Sequence, residues 1–142
     1  FQHISILAAI LPSYDVVPKK VVYLGNSLWA NNVALKEPAL EKSIFAGFSE
    51  KKFGNFKLEY SEAFNEQPHQ IAYLAFDLVG LISNLQKKDK KINISNITAS
   101  NGFIGTNGLF RFRSDGSIQR SLSVFQIKNQ NPIEVKKANL NF

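Results

Sequence analysis

The feature that most constrains the fold is a short, uninterrupted apolar run at residues 21–24 (VVYL), which ends at Gly25. A run of this length without alternating polar residues is typical of a strand that is buried on both faces. Such strands belong to parallel sheets, whose faces are covered by crossover helices. The run therefore predicts an α/β fold. A second strand is predicted at residues 43–48, where Gly47 interrupts it.

Helical periodicity marks four further segments. Apolar residues at 4, 7, 8 and 11 predict an amphipathic helix that stops at Pro12. An aromatic stripe indicates a helix whose rings pack in a core rather than bind a cofactor, and it consists of Phe53, Phe56, Tyr60 and Phe64. From His69 onward, residues 71, 74, 75, 78, 82 and 85 place an apolar face on a second long helix. A short helix capped by Ser95 is predicted within residues 93–100.

The C-terminal part of the chain changes to strand patterns. Residues 114–116 (Ser-Asp-Gly) lie between two apolar segments and predict a β-hairpin. Residues 129–131 predict a second turn into a last strand, so an antiparallel meander follows the alternating strands and helices. We expect a mixed sheet flanked by helices with a C-terminal β-hairpin or meander, in a single domain over residues 1–142.

Composition narrows the class of protein. The chain has 142 residues, of which 44% are hydrophobic and 20% charged, so a packed core is expected. No apolar run approaches the ~18 residues that would span a bilayer. The net charge of +6 comes from lysines dispersed mainly in pairs, densest at residues 87–91, without interleaved aromatic residues. This pattern indicates a solvated surface rather than a nucleic-acid partner.

Residues able to support catalysis are few. The chain has no cysteine, and His3 and His69 lack a second histidine or a carboxylate at metal-ligand spacing. Residues 102–108 are rich in glycine but lack the lysine and the serine or threonine of a phosphate-binding loop, so a turn explains them better. No nucleophile, base and orienting group can be assembled. We therefore expect neither an enzyme nor a bound metal or cofactor.

A binding role is the remaining possibility. In open α/β sheets, ligands bind beyond the carboxyl ends of the parallel strands. The loop after the first strand offers an amide, a hydroxyl and a large aromatic ring in Asn26, Ser27 and Trp29, which are the candidate ligand-binding residues. Alternatively, Trp29 packs against Leu35 or Leu40 while Asn26 and Ser27 only form the turn. The sequence leaves both interpretations open.

The order of these motifs resembles the C-terminal part of a type I periplasmic binding protein of the leucine/isoleucine/valine-receptor group. The matching segments are VVYLGNSLW (21–29), AGF (46–48), AYLAFDLVGLI (72–82) and GFIGTNGLFRFRSDGSIQRSLSVFQIKN (102–129). Within that group the chain also resembles the lipoprotein-like penicillin-binding-protein activators. The chain lacks methionine and begins at Phe1 inside an apolar pattern, which suggests a processed or truncated piece.

The resemblance implies a two-lobed protein that clamps a small polar ligand in the cleft between its lobes, of which this chain supplies the later portion. It further implies an extracytoplasmic solute-binding protein of an ABC transporter, periplasmic or membrane-anchored, with a membrane permease as partner. The alternative is a regulator of peptidoglycan synthesis that contacts a cell-wall synthase and transports nothing. Surface intended for the absent part would favour self-association.

Two departures from the family pattern bear on the ligand. Amino-acid receptors often place an acidic residue in the loop after the VVYLG-like strand, and none occurs between Gly25 and Lys36. Phe76 precedes Asp77, where the family commonly has tyrosine. Both departures argue against a standard amino-acid ligand.

Overall fold

Residues 3–48, 50–69, 71–87 and 91–142 are described by a computed structural model, without the side chains of residues 50–52. Within these ranges the helices are α1 (His3–Ile10), α2 (Asn32–Leu35), α3 (Glu50–Phe64), α4 (Ala72–Lys87) and α5 (Ile94–Ile97). The strands are β1 (Leu24–Gly25), β2 (Ile44–Gly47), β3 (Phe103–Gly105), β4 (Gly108–Phe112), β5 (Ile118–Arg120), β6 (Ser123–Lys128) and β7 (Asn131–Lys136). This element order confirms the predicted α/β class.

The contacts group the chain into two compact units. The first unit contains the residues up to Gly47 together with Ser123–Lys137, and the second contains Phe48–Leu122 and Ala138–Phe142. The expectation that residues 1–142 form a single domain stays a prediction.

The first unit contains a mixed sheet with the strand order β1-β2-β6-β7. β1 and β2 run parallel, and the other two pairs are antiparallel, which confirms the predicted mixed sheet and the last turn of the meander. The rings of Phe45 and Phe125 stack with centroids 5.4 Å apart on neighbouring strands. They belong to a core that also contains Ala8, Trp29, Ala34, Leu40 and Ile127.

The predicted burial of residues 21–24 on both faces is wrong. Only Leu24 of this run enters β1, and Val22 and Leu24 remain 60% and 76% exposed. Tyr23 packs against the core, whereas no described element covers Val22 and Leu24 on either side of it in the chain. An apolar run indicates that a strand favours a buried position, but it does not identify the element that would cover the strand.

The second unit contains an antiparallel sheet with the strand order β3-β4-β5. The predicted Asp-Gly hairpin is confirmed between β4 and β5, where Gly116 has a φ of 81° and its N–H donates to Arg113 O. The glycine-rich segment forms the tight turn between β3 and β4, with Gly105 opposite Gly108. Leu81 and Leu85 of α4 pack against Phe110 in the core of this unit.

The long helix predicted from His69 is confirmed as α4, but of its predicted apolar face only Leu85 is fully buried. Its buried residues are Tyr73, Asp77, Leu81 and Leu85, whereas Ile71, Leu74 and Leu78 are exposed. Apolar residues surround most of this helix, so their spacing alone does not select one face. The hydrogen bonds of Asp77 select the face instead.

The shorter elements agree with the sequence in type and differ in detail. α1 packs through Ile4 and Ala8 while Leu7 is exposed, and Pro12 lies in a 3₁₀ turn that continues the helix to Tyr14. α5 is capped by Asn93 rather than by Ser95, because Asn93 Oδ1 accepts the N–H of Asn96 at 2.9 Å.

The aromatic stripe lies on α3 as predicted. Phe56 is buried, and its ring contacts those of Phe53, Tyr60 and Phe76 at centroid distances of 5.3–5.9 Å. The exposed Phe64 ends the stripe. The predicted lysine cluster at residues 87–91 lies mostly outside the described residues.

The hairpin turn generates a first prediction. Gly116→Ala is expected to lower the free energy of unfolding by about 1 kcal/mol, because a side chain disfavours a positive φ. Urea denaturation measures the change. The control is Gly54→Ala in α3, where a Cβ meets nothing within 4 Å and helix propensity predicts a gain of about 0.5 kcal/mol. Equal effects of the two substitutions would contradict this account of the turn.

Candidate functional site

The loop after β1 is shaped by two asparagine caps. Asn26 Oδ1 accepts the N–H of Leu28 at 3.1 Å and begins a 3₁₀ turn over Ser27–Trp29. Asn31 Oδ1 accepts the N–H groups of Val33 and Ala34 at 2.9 and 3.0 Å and begins α2. These bonds satisfy backbone donors at both helix starts. The polypeptide from β1 to α2 therefore has a defined course.

Trp29 belongs to the core of the first unit. It is 9% exposed and lies in the cluster with Leu40, against which Leu35 also packs. A Cβ on Gly25 would overlap the indole ring, so the ring lies directly against the backbone of Gly25. This geometry is the packing arrangement that the sequence left open as the alternative to a ligand contact.

Asn26 and Ser27 are placed differently from Trp29. Asn26 is exposed and Ser27 is half-buried. Within the described residues, the Asn26 side chain makes one hydrogen bond, through Oδ1, and its amide Nδ2 carries two further donors. The structure thus brings an amide and a hydroxyl together in one loop, while the assignment of all three residues to a ligand stays a prediction.

The loop also has the predicted position relative to the sheet. Gly25 lies opposite Phe45 in the parallel pair of β1 and β2, so the carboxyl ends of both strands share one edge. Asn26 directly follows β1 at that edge. Ligands of open α/β sheets bind at such edges because backbone and loop groups converge there.

A second polar cluster, centred on Asp77, was not identified as a site from the sequence. Asp77 is 6% exposed, and its Oδ1 accepts both the N–H and the hydroxyl of Thr106 at 2.7 Å. Arg120 Nη1 lies 3.5 Å from Oδ2. A Cβ on Gly105 would overlap this carboxylate, which explains the glycine before Thr106. The available signal was a single charged residue, Asp77, within the otherwise uncharged residues 71–86.

Arg120 completes this cluster through aromatic contacts. Its guanidinium carbon lies 5.3 Å from the ring centroid of Tyr73 and 4.8 Å from that of Phe110. Such cation–π contacts stabilise a guanidinium that is largely removed from water. The cluster connects α4 to β5 and to the turn between β3 and β4, so its contacts hold these elements together.

The histidines occupy helix starts. His3 is exposed at the beginning of α1, and His69 Nδ1 accepts the N–H of Ile71 at 3.4 Å just before α4. Among the described residues, no group of three or more histidine, cysteine, aspartate or glutamate side chains is arranged to hold a metal ion. In the same ranges, no helix combines the length and apolar character needed to cross a membrane.

Comparison with solved structures identifies the fold. A protein from Rhodospirillum rubrum described as a branched-chain amino acid ABC transporter matches 81% of this chain and 37% of its own, with a TM-score of 0.63 and 16% identity. An extracellular ligand binding receptor from Desulfohalobium retbaense matches 94% of this chain and 25% of its own, with a TM-score of 0.60 and 13% identity.

A third match is the branched-chain amino acid transporter substrate binding protein LivJ from Streptococcus pneumoniae, solved in complex with isoleucine. It matches 95% of this chain and 42% of its own, with a TM-score of 0.54 and 19% identity. No family model and no curated protein matches the sequence.

The chain therefore has the fold of part of a type I periplasmic binding protein, as the resemblance implied. It spans 25–42% of the length of these three solved proteins. At 13–19% identity the likeness establishes the fold alone.

The contact between Gly25 and Trp29 generates a second prediction. Gly25→Ala is expected to lower the free energy of unfolding by about 2 kcal/mol, because the new methyl group displaces the indole from the core. Trp29 is the single tryptophan, so its fluorescence reports the displacement as a shift of the emission maximum to longer wavelength. Gly54→Ala is the matched control and should leave the emission unchanged. An unshifted emission in Gly25→Ala would show that the indole does not pack on this glycine.

Proposed function

We propose that this chain is part of an extracytoplasmic solute-binding protein of the ABC-transporter type. Its fold is shared with a substrate binding protein and with an extracellular ligand binding receptor. The proposed role is to bind a small polar solute outside the cytoplasm and to present it to a membrane permease. Binding rather than catalysis is the proposed activity.

The loop after β1 is the observation that carries this proposal. Asn26 and Ser27 lie at the carboxyl edge of a parallel strand pair, on a turn held by the Asn26 cap and by the buried Trp29. A site on a supported turn loses less conformational entropy when the ligand binds. We propose that the Asn26 amide donates to the ligand and that the Ser27 hydroxyl either donates or accepts.

In this proposal Trp29 acts mainly through the loop. Its indole fills the space beneath Gly25, and the turn that carries Asn26 and Ser27 follows directly. Any rearrangement of the turn on ligand binding would alter the packing around the indole. Trp29 is therefore proposed as a support of the site and as its natural fluorescent reporter.

The proposed ligand carries no ammonium group. The pneumococcal LivJ structure contains isoleucine, an amino acid. The present loop has no aspartate or glutamate between Gly25 and Lys36 that could pair with an ammonium group. Amides and hydroxyls suit hydroxyl, carbonyl or carboxylate groups instead. We therefore propose a neutral or anionic polar solute, such as a polyol or a small carboxylate.

A thermal-shift screen of the protein expressed from its native gene provides the third prediction. Polyols, small carboxylates, leucine and isoleucine are compared, and a solute without an ammonium group is expected to give the largest rise in Tm. Asn26→Asp keeps the oxygen that caps Leu28 but removes the amide donor. It should weaken binding of that solute by about tenfold or more while leaving the unliganded Tm nearly unchanged.

The matched control is Asn32→Asp, which makes the same change at an exposed position in α2. It should preserve the affinity. Strongest binding of leucine or isoleucine would contradict the proposed ligand class. If no solute of any class raises the Tm, solute binding is the wrong function, and regulation of a cell-wall synthase by protein contact becomes the better hypothesis.

A further inference from the structure

The hairpin of β4 and β5 carries two arginines whose side chains converge on one neutral oxygen. Arg111 lies on β4, and Arg113 continues the pairing beyond it, since its N–H donates to Ser117 O at 2.8 Å. Residues two apart on an extended strand share a face. Gln119 lies opposite Arg111 on β5, and its Oε1 accepts Arg111 Nε at 2.9 Å and Arg113 Nη2 at 3.3 Å. The two guanidinium groups are thus held side by side.

Arg111 is held in one orientation by further contacts. Its Nη1 donates to Ser100 O at 2.8 Å, and its guanidinium carbon lies 4.3 Å from the ring centroid of Phe142. Arg111 is half-buried, whereas Arg113 is exposed. A guanidinium carries more N–H donors than these bonds use, so both arginines retain donors for a further acceptor. The pair therefore combines an oriented guanidinium with an accessible one.

The charge of this pair is not balanced by ion pairs. In the part of the chain that the structure describes, neither Arg111 nor Arg113 forms an ion pair with a carboxylate. Asp115 lies in the same hairpin, but its Oδ1 accepts the N–H of Ser117 at 2.8 Å. Two like charges held close together repel each other, and a neutral amide oxygen offsets this repulsion only in part. The pair is therefore suited to an added negative charge.

We propose that Arg111, Arg113 and Gln119 form a binding site for a small divalent oxyanion, namely a phosphate group. Guanidinium groups match the oxygens of phosphate with paired N–H donors. A divalent anion across the two groups balances both positive charges, which the Gln119 amide does not do. The phosphate group belongs either to the free ion or to a phosphorylated solute, because the contacts are the same for both.

This site is independent of the proposed solute site. It lies in the second unit, whereas the loop after β1 belongs to the first. None of its residues takes part in the Asn26 cap or in the packing of Trp29. Loss of phosphate binding would leave the solute-binding proposal standing, and the reverse also holds.

Isothermal titration calorimetry of the 142-residue chain with inorganic phosphate tests the proposal, in dilute buffer because salt screens exposed charges. Phosphate is expected to bind, whereas sodium chloride at the same ionic strength is not. Arg113→Gln removes one guanidinium and should weaken phosphate binding about tenfold or more. The matched control is Lys136→Gln, which removes the same charge from an exposed position in the first unit. It should preserve the affinity. Circular dichroism verifies that each variant is folded.

A second variant separates binding from a purely structural role of Gln119. Gln119→Glu keeps the shape of the side chain but supplies a carboxylate to both arginines. It should weaken phosphate binding about tenfold or more, because its charge repels the anion. The unliganded Tm should stay at or above that of the wild type, because the bonds to both guanidinium groups become charge-assisted.

Glycerol 3-phosphate identifies the source of the phosphate group. Tighter binding than that of inorganic phosphate would indicate a phosphorylated solute, and weaker binding would indicate the free ion. The proposal is overturned if phosphate does not bind, or if chloride gives the same response. It is also overturned if Arg113→Gln retains the wild-type affinity, if Lys136→Gln loses as much affinity, or if Gln119→Glu binds phosphate undiminished.

Discussion

The buried carboxylate of Asp77 determines how α4 lies on the second unit. Its Oδ1 takes two hydrogen bonds from Thr106, and Arg120 approaches the other oxygen. A carboxylate removed from water without such donors would be strongly destabilising, so the helix must turn this residue toward the β3–β4 turn. Leu81 and Leu85 follow Asp77 into the core because they share its side of the helix. The remaining apolar side of α4 is then directed outward.

In the first unit, a steric constraint fixes the position of the turn after β1. Trp29 lies against Gly25, where a side chain of any size would overlap the indole. The ring therefore anchors the turn after β1 to the core while Asn26 and Ser27 remain accessible at the carboxyl edge of the sheet. Groups carried on a supported turn keep their relative positions better than groups on a free loop. The packing role of Trp29 and a binding role for its neighbours are thus compatible.

Local signals predicted the element types well, because turn chemistry and helical periodicity act over a few residues. The Asp115-Gly116 turn and α4 both follow from such signals. Contacts between distant residues were not predictable in this way. Asp77 and Thr106 are 29 residues apart, and no spacing rule joins them. Asn93 and Ser95 are both common capping residues, so only the structure distinguishes them.

The two burial predictions that failed both overestimated how deeply the residues are buried. Residues 21–24 and the outward side of α4 are both more apolar than their described surroundings require. Burying one large aliphatic side chain contributes about 1.5–3 kcal/mol, so each exposed patch leaves a substantial driving force unused.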